Sequence, residues 1–158
     1  MACGDYGFRD VNPKMFDPGV WLFSHLALLR PKNAELNLVD HSLERAVQLA
    51  LRDRCVPEEF RKQFYFLEET HGYPSSEPVE DMLHNASSEF GVLERNWRSG
   101  SYHEHYIFQT HLAEVHLRDA PEWFERFAHL VDLHLAKYLE HHNAWARKHR
   151  PEQLVYIN

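Results

Sequence analysis

The feature that most constrains this chain is a stretch between Pro121 and Pro151 that contains neither Gly nor Pro. Asp119-Ala120-Pro121-Glu122 opens it with a helix cap and a carboxylate three residues on, close to a capping box. Pro151 closes it, since proline cannot continue a helix. Within the stretch Trp123, Phe127, Val131, Tyr138 and Trp145 fall along one face at helical spacing. Nearly thirty residues of helix would be ~40 Å long.

The rest of the chain punctuates in the same way. A short helix follows Asp17-Pro18, with Asp as cap and Pro in the first turn, and stops at Pro31. A second runs from about Leu38 to Arg54, with Leu43, Ala46, Val47 and Ala50 on one face. A third opens at Pro57-Glu58-Glu59 and ends at Gly72, with Phe60, Phe64, Leu67 and His71 as its apolar face. A fourth follows Ser75-Ser76 and runs to about Arg98, with a stripe of Val79, Met82, Leu83, Ala86, Phe90, Leu93 and Trp97 and Gly91 inside it. After Ser99-Gly100-Ser101, a fifth runs from about Tyr102 to Leu117. Short connections between amphipathic helices imply antiparallel neighbours. The expected fold is therefore all-α: an up-and-down bundle of four main helices, a short N-terminal helix and an extended N-terminal arm. Residues 1–158 form one helical domain in this reading, with 1–35 as the arm and first helix.

Composition narrows the function. No apolar run approaches the ~18–20 residues that span a bilayer; the best, Val20 to Leu29, contains Ser24 and His25. A formal charge of −7 argues against a general nucleic-acid binder. Six glycines leave no phosphate-cradling loop, and no Gly-x-Ser-x-Gly elbow occurs. Cys3 and Cys55, the only cysteines, suggest no disulfide framework. The N-terminus has neither a secretory apolar stretch nor an Arg-rich presequence. An intracellular, reducing compartment is the expectation, cytoplasm or an organelle after removal of a leader. With no reaction motif, the chain leans away from being an enzyme.

Thirteen histidines are the unusual component, nine of them between His103 and His149, yet no His-x-x-x-His pair occurs. That counts against a dedicated zinc helix, which needs two imidazoles on one face. On helical wheels His41, His84, His103, His111 and His129 face outward. Glu68, His71, His105, His116, His134 and His142 face inward, and the Glu68/His71 step with imidazoles from other helices is how bundles build metal centres. These six are the candidate ligands for a transition metal, iron or zinc. The alternative is core histidines bonded to carbonyls, carboxylates or tyrosines such as Tyr102, Tyr106 and Tyr138. The run Tyr65-Phe66-Leu67-Glu68-Glu69-Thr70-His71-Gly72-Tyr73-Pro74 resembles one in hemerythrin-like bundles. It departs from that family where Tyr65 or Phe66 replaces a histidine and where the following His-x-x-x-His is missing, so the chain is not assigned to the family.

Four Trp, seven Tyr and ten Phe exceed what a core of this size needs. Large aromatics also anchor protein interfaces. Tyr6, Phe8, Met15, Phe16 and Trp21 are the candidate partner-binding residues of the arm, which packs on its own domain or on a partner chain. The leading expectation is a non-catalytic helical subunit of a larger protein assembly, binding other subunits. A metal-binding helical bundle is the alternative, and a ligand pocket lined by Trp and His remains open. Buried histidines should also make the fold weaken below about pH 6, because burial disfavours their charged form.

Overall fold

The helix at residues 16–28 is apolar on almost every side, and in the folded chain it is surrounded. A computed structural model describes residues 13–68, 72–89, 91–98 and 103–155. After a 3₁₀ turn at Pro13–Met15, helix α1 (Phe16–Leu28) buries Val20, Leu22, Phe23, Leu26 and Ala27. A helix without a polar face belongs inside. It packs against α4 (Glu77–His84), α5 (Thr110–His116) and α6 (Glu122–His149). Gly19 makes the α4 crossing possible: a Cβ there would stand 2.5 Å from the Met82 carbonyl oxygen.

Three short strands form an antiparallel sheet in the order β1-β5-β4: β1 (Glu35–Leu38), β4 (Leu93–Arg95) and β5 (Glu104–Phe108). The register sets Leu36 opposite Tyr106 and Leu93 opposite Phe108. Side chains alternate across a strand. Leu36, Leu38, Leu93, Tyr106 and Phe108 therefore share one face, and all are buried in the core. A second pair, β2 (Leu67–Glu68) and β3 (Pro74–Ser75), forms a two-residue antiparallel ladder.

Helix α2 (Ser42–Ala50) turns Leu43, Ala46, Val47 and Ala50 inward and lies along α6. The single turn α3 (Glu58–Arg61) places Phe60 among Phe64, Trp123, Phe124 and Phe127, with ring centroids 5.0 to 5.8 Å away. Helix α4 is capped by Ser76, whose Oγ accepts from the Val79 amide, and continues as a π turn at Asn85–Glu89. Beyond α6 and a 3₁₀ turn at Pro151–Gln153, the chain folds back. The Asn143 side chain donates to the Val155 carbonyl at 2.6 Å and accepts the Val155 amide at 2.8 Å.

The all-α four-helix bundle is corrected by this arrangement. Helices α1 and α6 match their expected ranges, and α2 ends at Ala50 rather than Arg54. The expected third helix is one turn followed by β2. The expected fourth stops at His84, and its tail becomes the π turn and β4. The expected fifth is β5 followed by a seven-residue helix. In each case a helical spacing of apolar residues coincided with a strand of few residues. Tyr106-Ile107-Phe108 are strand-favouring types, and in Glu35-Leu36-Asn37-Leu38 polar and apolar residues alternate with period two. No helix among the described residues is long and apolar enough to cross a membrane.

Candidate functional site

A cleft of about 600 Å³ opens where the sheet, α2 and α4 meet. The end of β1 and the turn after it contribute Leu38, Asp40 and His41. The first turn of α2 adds Ser42, Leu43 and Glu44. Helix α4 and its π turn add Glu80, Leu83, His84 and Ser87, and β5 with the residue before it adds His103, Glu104 and Tyr106. Among the described residues, four carboxylates and three imidazoles thus line one space, and no Lys or Arg does.

Two local irregularities build this wall. Asp40 and His41 both adopt left-handed backbone, with φ of +35° and +57°. For a residue with a Cβ this costs on the order of 1–2 kcal/mol. The surroundings hold the turn: the Ser42 amide donates to the Val39 carbonyl at 2.6 Å, the Arg45 amide to the His41 carbonyl at 3.1 Å, and the His41 ring stacks on Tyr73 at 5.7 Å. On the opposite side the π turn at Asn85–Glu89 carries Ser87, whose hydroxyl donates to the Leu83 carbonyl at 2.9 Å. Strained turns and π turns gather at functional sites. Ser42 is 2% exposed and its Oγ has no hydrogen-bond partner.

The electrostatics divide the wall. Burial pushes the Glu44 carboxyl above its ordinary range, and the charges of Glu80 and Glu104 add to it against the Glu44 backbone amide and His41. Glu104 is itself paired with Arg95 at 3.2 Å. The His103 imidazole is held below its ordinary range by burial first and by His142 second, against the pull of Asp40. His103 Nε2 lies 3.2 Å from His142 Nε2, which lies 2.8 Å from the Gln153 carbonyl oxygen. A carbonyl only accepts, so His142 carries its proton on Nε2 and His103 turns a lone pair toward it. The same environment raises a carboxyl and lowers an imidazole, so the titrations of Glu44 and His103 are drawn toward one another.

Five of the six candidate metal ligands lie in the described residues, spread over different elements. Glu68 is exposed on β2, and His71 lies outside the described residues. His105 is buried on β5 with Nδ1 2.5 Å from Asn37 Oδ1. His116 is half-buried in the last turn of α5, and His134 is half-buried on α6. His142 is buried on α6 beside His103. Among the described residues no three His, Cys, Asp or Glu side chains group so as to hold a metal ion. Of the arm residues, Met15 is fully buried in this chain's own core, and Trp21 stands edge-on to Phe124 at 5.5 Å. Tyr6, Phe8 and the Phe16 side chain are outside the described residues.

The cleft residues were legible only in part. His41 and His84 read as outward-facing from the helical wheel, and facing away from the core is what turns them into the cleft. Asp40, Glu44 and Glu80 gave no signal, because a carboxylate at the start of a helix is ordinary. What makes Glu44 unusual is its burial, to which Glu80 and, from sixty residues away on β5, Glu104 add their charges. Comparison with protein-family models, with characterised proteins and with solved structures finds no match to this chain, so the reading of the cleft rests on its own geometry.

Proposed function

We propose that this chain is a small-molecule binding protein whose cleft takes an organic cation. The observation that carries the reading is the 600 Å³ space lined by Asp40, Glu44, Glu80 and Glu104, with no Lys or Arg in its wall among the described residues. Glu104 is paired with Arg95, yet the charges of Glu80 and Glu104 still push the Glu44 carboxyl upward, and a cation bound beside them relieves that repulsion. His41 and His84 supply further acceptors while neutral. Titration calorimetry with agmatine and putrescine tests the reading, with sodium chloride at matched ionic strength as the control. Saturable binding of either amine, weakened about tenfold by Glu44→Gln together with Glu80→Gln, is the expected result. Heat no different from the salt control, or binding untouched by the double substitution, overturns it.

A second reading is supported by a different observation. Trp97 is 80% exposed, Leu67 62% and Leu133 61%, and a tryptophan left in water is the kind of side chain that anchors protein interfaces. This favours a non-catalytic interaction subunit that binds other protein chains. Its test is recovery of a partner of defined mass with the tagged chain, lost on Trp97→Ser or Leu133→Ser. A lone monomer from native extract sinks it.

A further inference from the structure

We propose that a second, smaller pocket between α2 and α6 is a binding site for a hydrogen-phosphate group. It has a volume of about 170 Å³ and lies next to the acidic cleft, sharing only Asp40 and Ser42 with it. The difference is Arg45, which the acidic cleft lacks. The Arg45 guanidinium lies over the Tyr138 ring at 4.3 Å and 6.0 Å from the centre of Tyr73. Stacking occupies the face of a guanidinium and leaves its edge N–H groups for a planar or tetrahedral oxyanion. Among the described residues no carboxylate is in an ion pair with Arg45, and its side chain has no bond beyond these ring contacts.

Two buried polar atoms in the same wall lack partners. Ser42, 2% exposed, has an unbonded Oγ, and His142, 6% exposed, has an unbonded Nδ1. Buried polar atoms are seldom left in that state. His142 Nδ1 stands 3.4 Å from Asp40 Oδ2 without the alignment of a hydrogen bond. The Gln153 carbonyl accepts the Nε2 proton of His142, so Nδ1 offers a lone pair to a donor whenever it carries no proton of its own. The pocket thus wants negative oxygen at Arg45, an O–H at His142, and a partner of either kind at Ser42. Hydrogen phosphate, or the same group on a monoester, supplies all three. Asp40, whose carboxylate is half exposed, the exposed His141 and the phenols of Tyr73 and Tyr138 are the other ionisable groups of the wall.

Titration calorimetry at pH 6.5 and constant ionic strength tests this, with inorganic phosphate as the probe and glycerol phosphate and sulfate as comparators. Saturable phosphate binding is expected. Arg45→Gln should weaken it about tenfold, and Arg45→Lys should weaken it less, since a charge remains but the two-pronged fork is lost. Tyr138→Phe keeps the ring platform and should leave binding within about twofold. Circular dichroism on each variant separates lost binding from lost folding. Tighter binding of glycerol phosphate than of phosphate assigns the site to an ester, and equal binding assigns it to the free ion; both support the site. Sulfate, with no O–H near neutral pH, should bind about tenfold more weakly than phosphate. No saturation with phosphate, equal affinity of folded Arg45→Gln, or equal affinity for sulfate overturns the assignment. Because Glu44 and Glu80 do not line this pocket, their double substitution should leave phosphate binding intact. Failure of the cation reading is thereby separated from failure of this one.

Discussion

At Glu44, binding and stability oppose each other. Its carboxylate is half-buried and shares a wall with Glu80 and Glu104, so the charged form costs the fold energy at neutral pH. The sign follows from proton uptake. The folded chain holds the Glu44 proton more tightly than the unfolded chain, so this group lowers stability above its folded value and gives it back as pH falls. Glu44→Gln removes the charge and should raise stability at pH 7. Urea unfolding of both proteins checks it, and the gain should shrink toward pH 5. An unchanged or lower midpoint at pH 7 would mean the carboxylate is well solvated and the cleft less acidic in effect. Ligand sites are commonly stabilised when their charges are removed, and the same substitution should weaken amine binding by less than the double substitution does.

The elements show where sequence reasoning reached and where it stopped. Helices α1 and α6 were legible because prolines bound them and their apolar content is dense; α2 was legible from Leu43, Ala46, Val47 and Ala50. The sheet was not. Its strands are three to five residues long, shorter than the window in which alternation can be told from a helical stripe. In the candidate site, His41, His84 and His103 were noticed only as outward-facing residues. Their convergence depends on the β1-β5 pairing, a contact between residues about seventy positions apart. Two element-level outcomes follow. Gly19→Ala drives a methyl into the Met82 backbone of α4 and should cost about 1–3 kcal/mol; a thermal midpoint within a degree of the parent would mean α1 slides freely. Asn143→Ala strips both partners from Val155 and should cost about 1–3 kcal/mol. Amide exchange at Val155 should accelerate well before that of α6, and simultaneous loss would show the returning tail and helix as one unit.

Over the whole molecule the histidines act in concert. His25, His103, His105 and His134 are all held below the ordinary value of 6.5, in each case chiefly by burial. Below 6.5 the unfolded chain therefore binds protons that the folded chain refuses. Their contribution is complete above that value and is lost as pH falls through the window beneath it. Glu44 works in the opposite sense, but one carboxyl does not offset four imidazoles. The melting temperature should fall between pH 7.5 and 5.5; a flat profile would mean that these rings reach water in the native state.

The placing of the four tryptophans gives the molecule two optical populations. Trp21 and Trp123 adjoin the Phe60, Phe124 and Phe127 rings, while Trp97 is 80% exposed and Trp145 44% exposed with the His149 ring stacked 5.6 Å away. Acrylamide should quench one pair and largely spare the other. The blue-shifted fraction of the emission then reports the aromatic cluster around α3, while the red-shifted fraction stays nearly silent as the core melts.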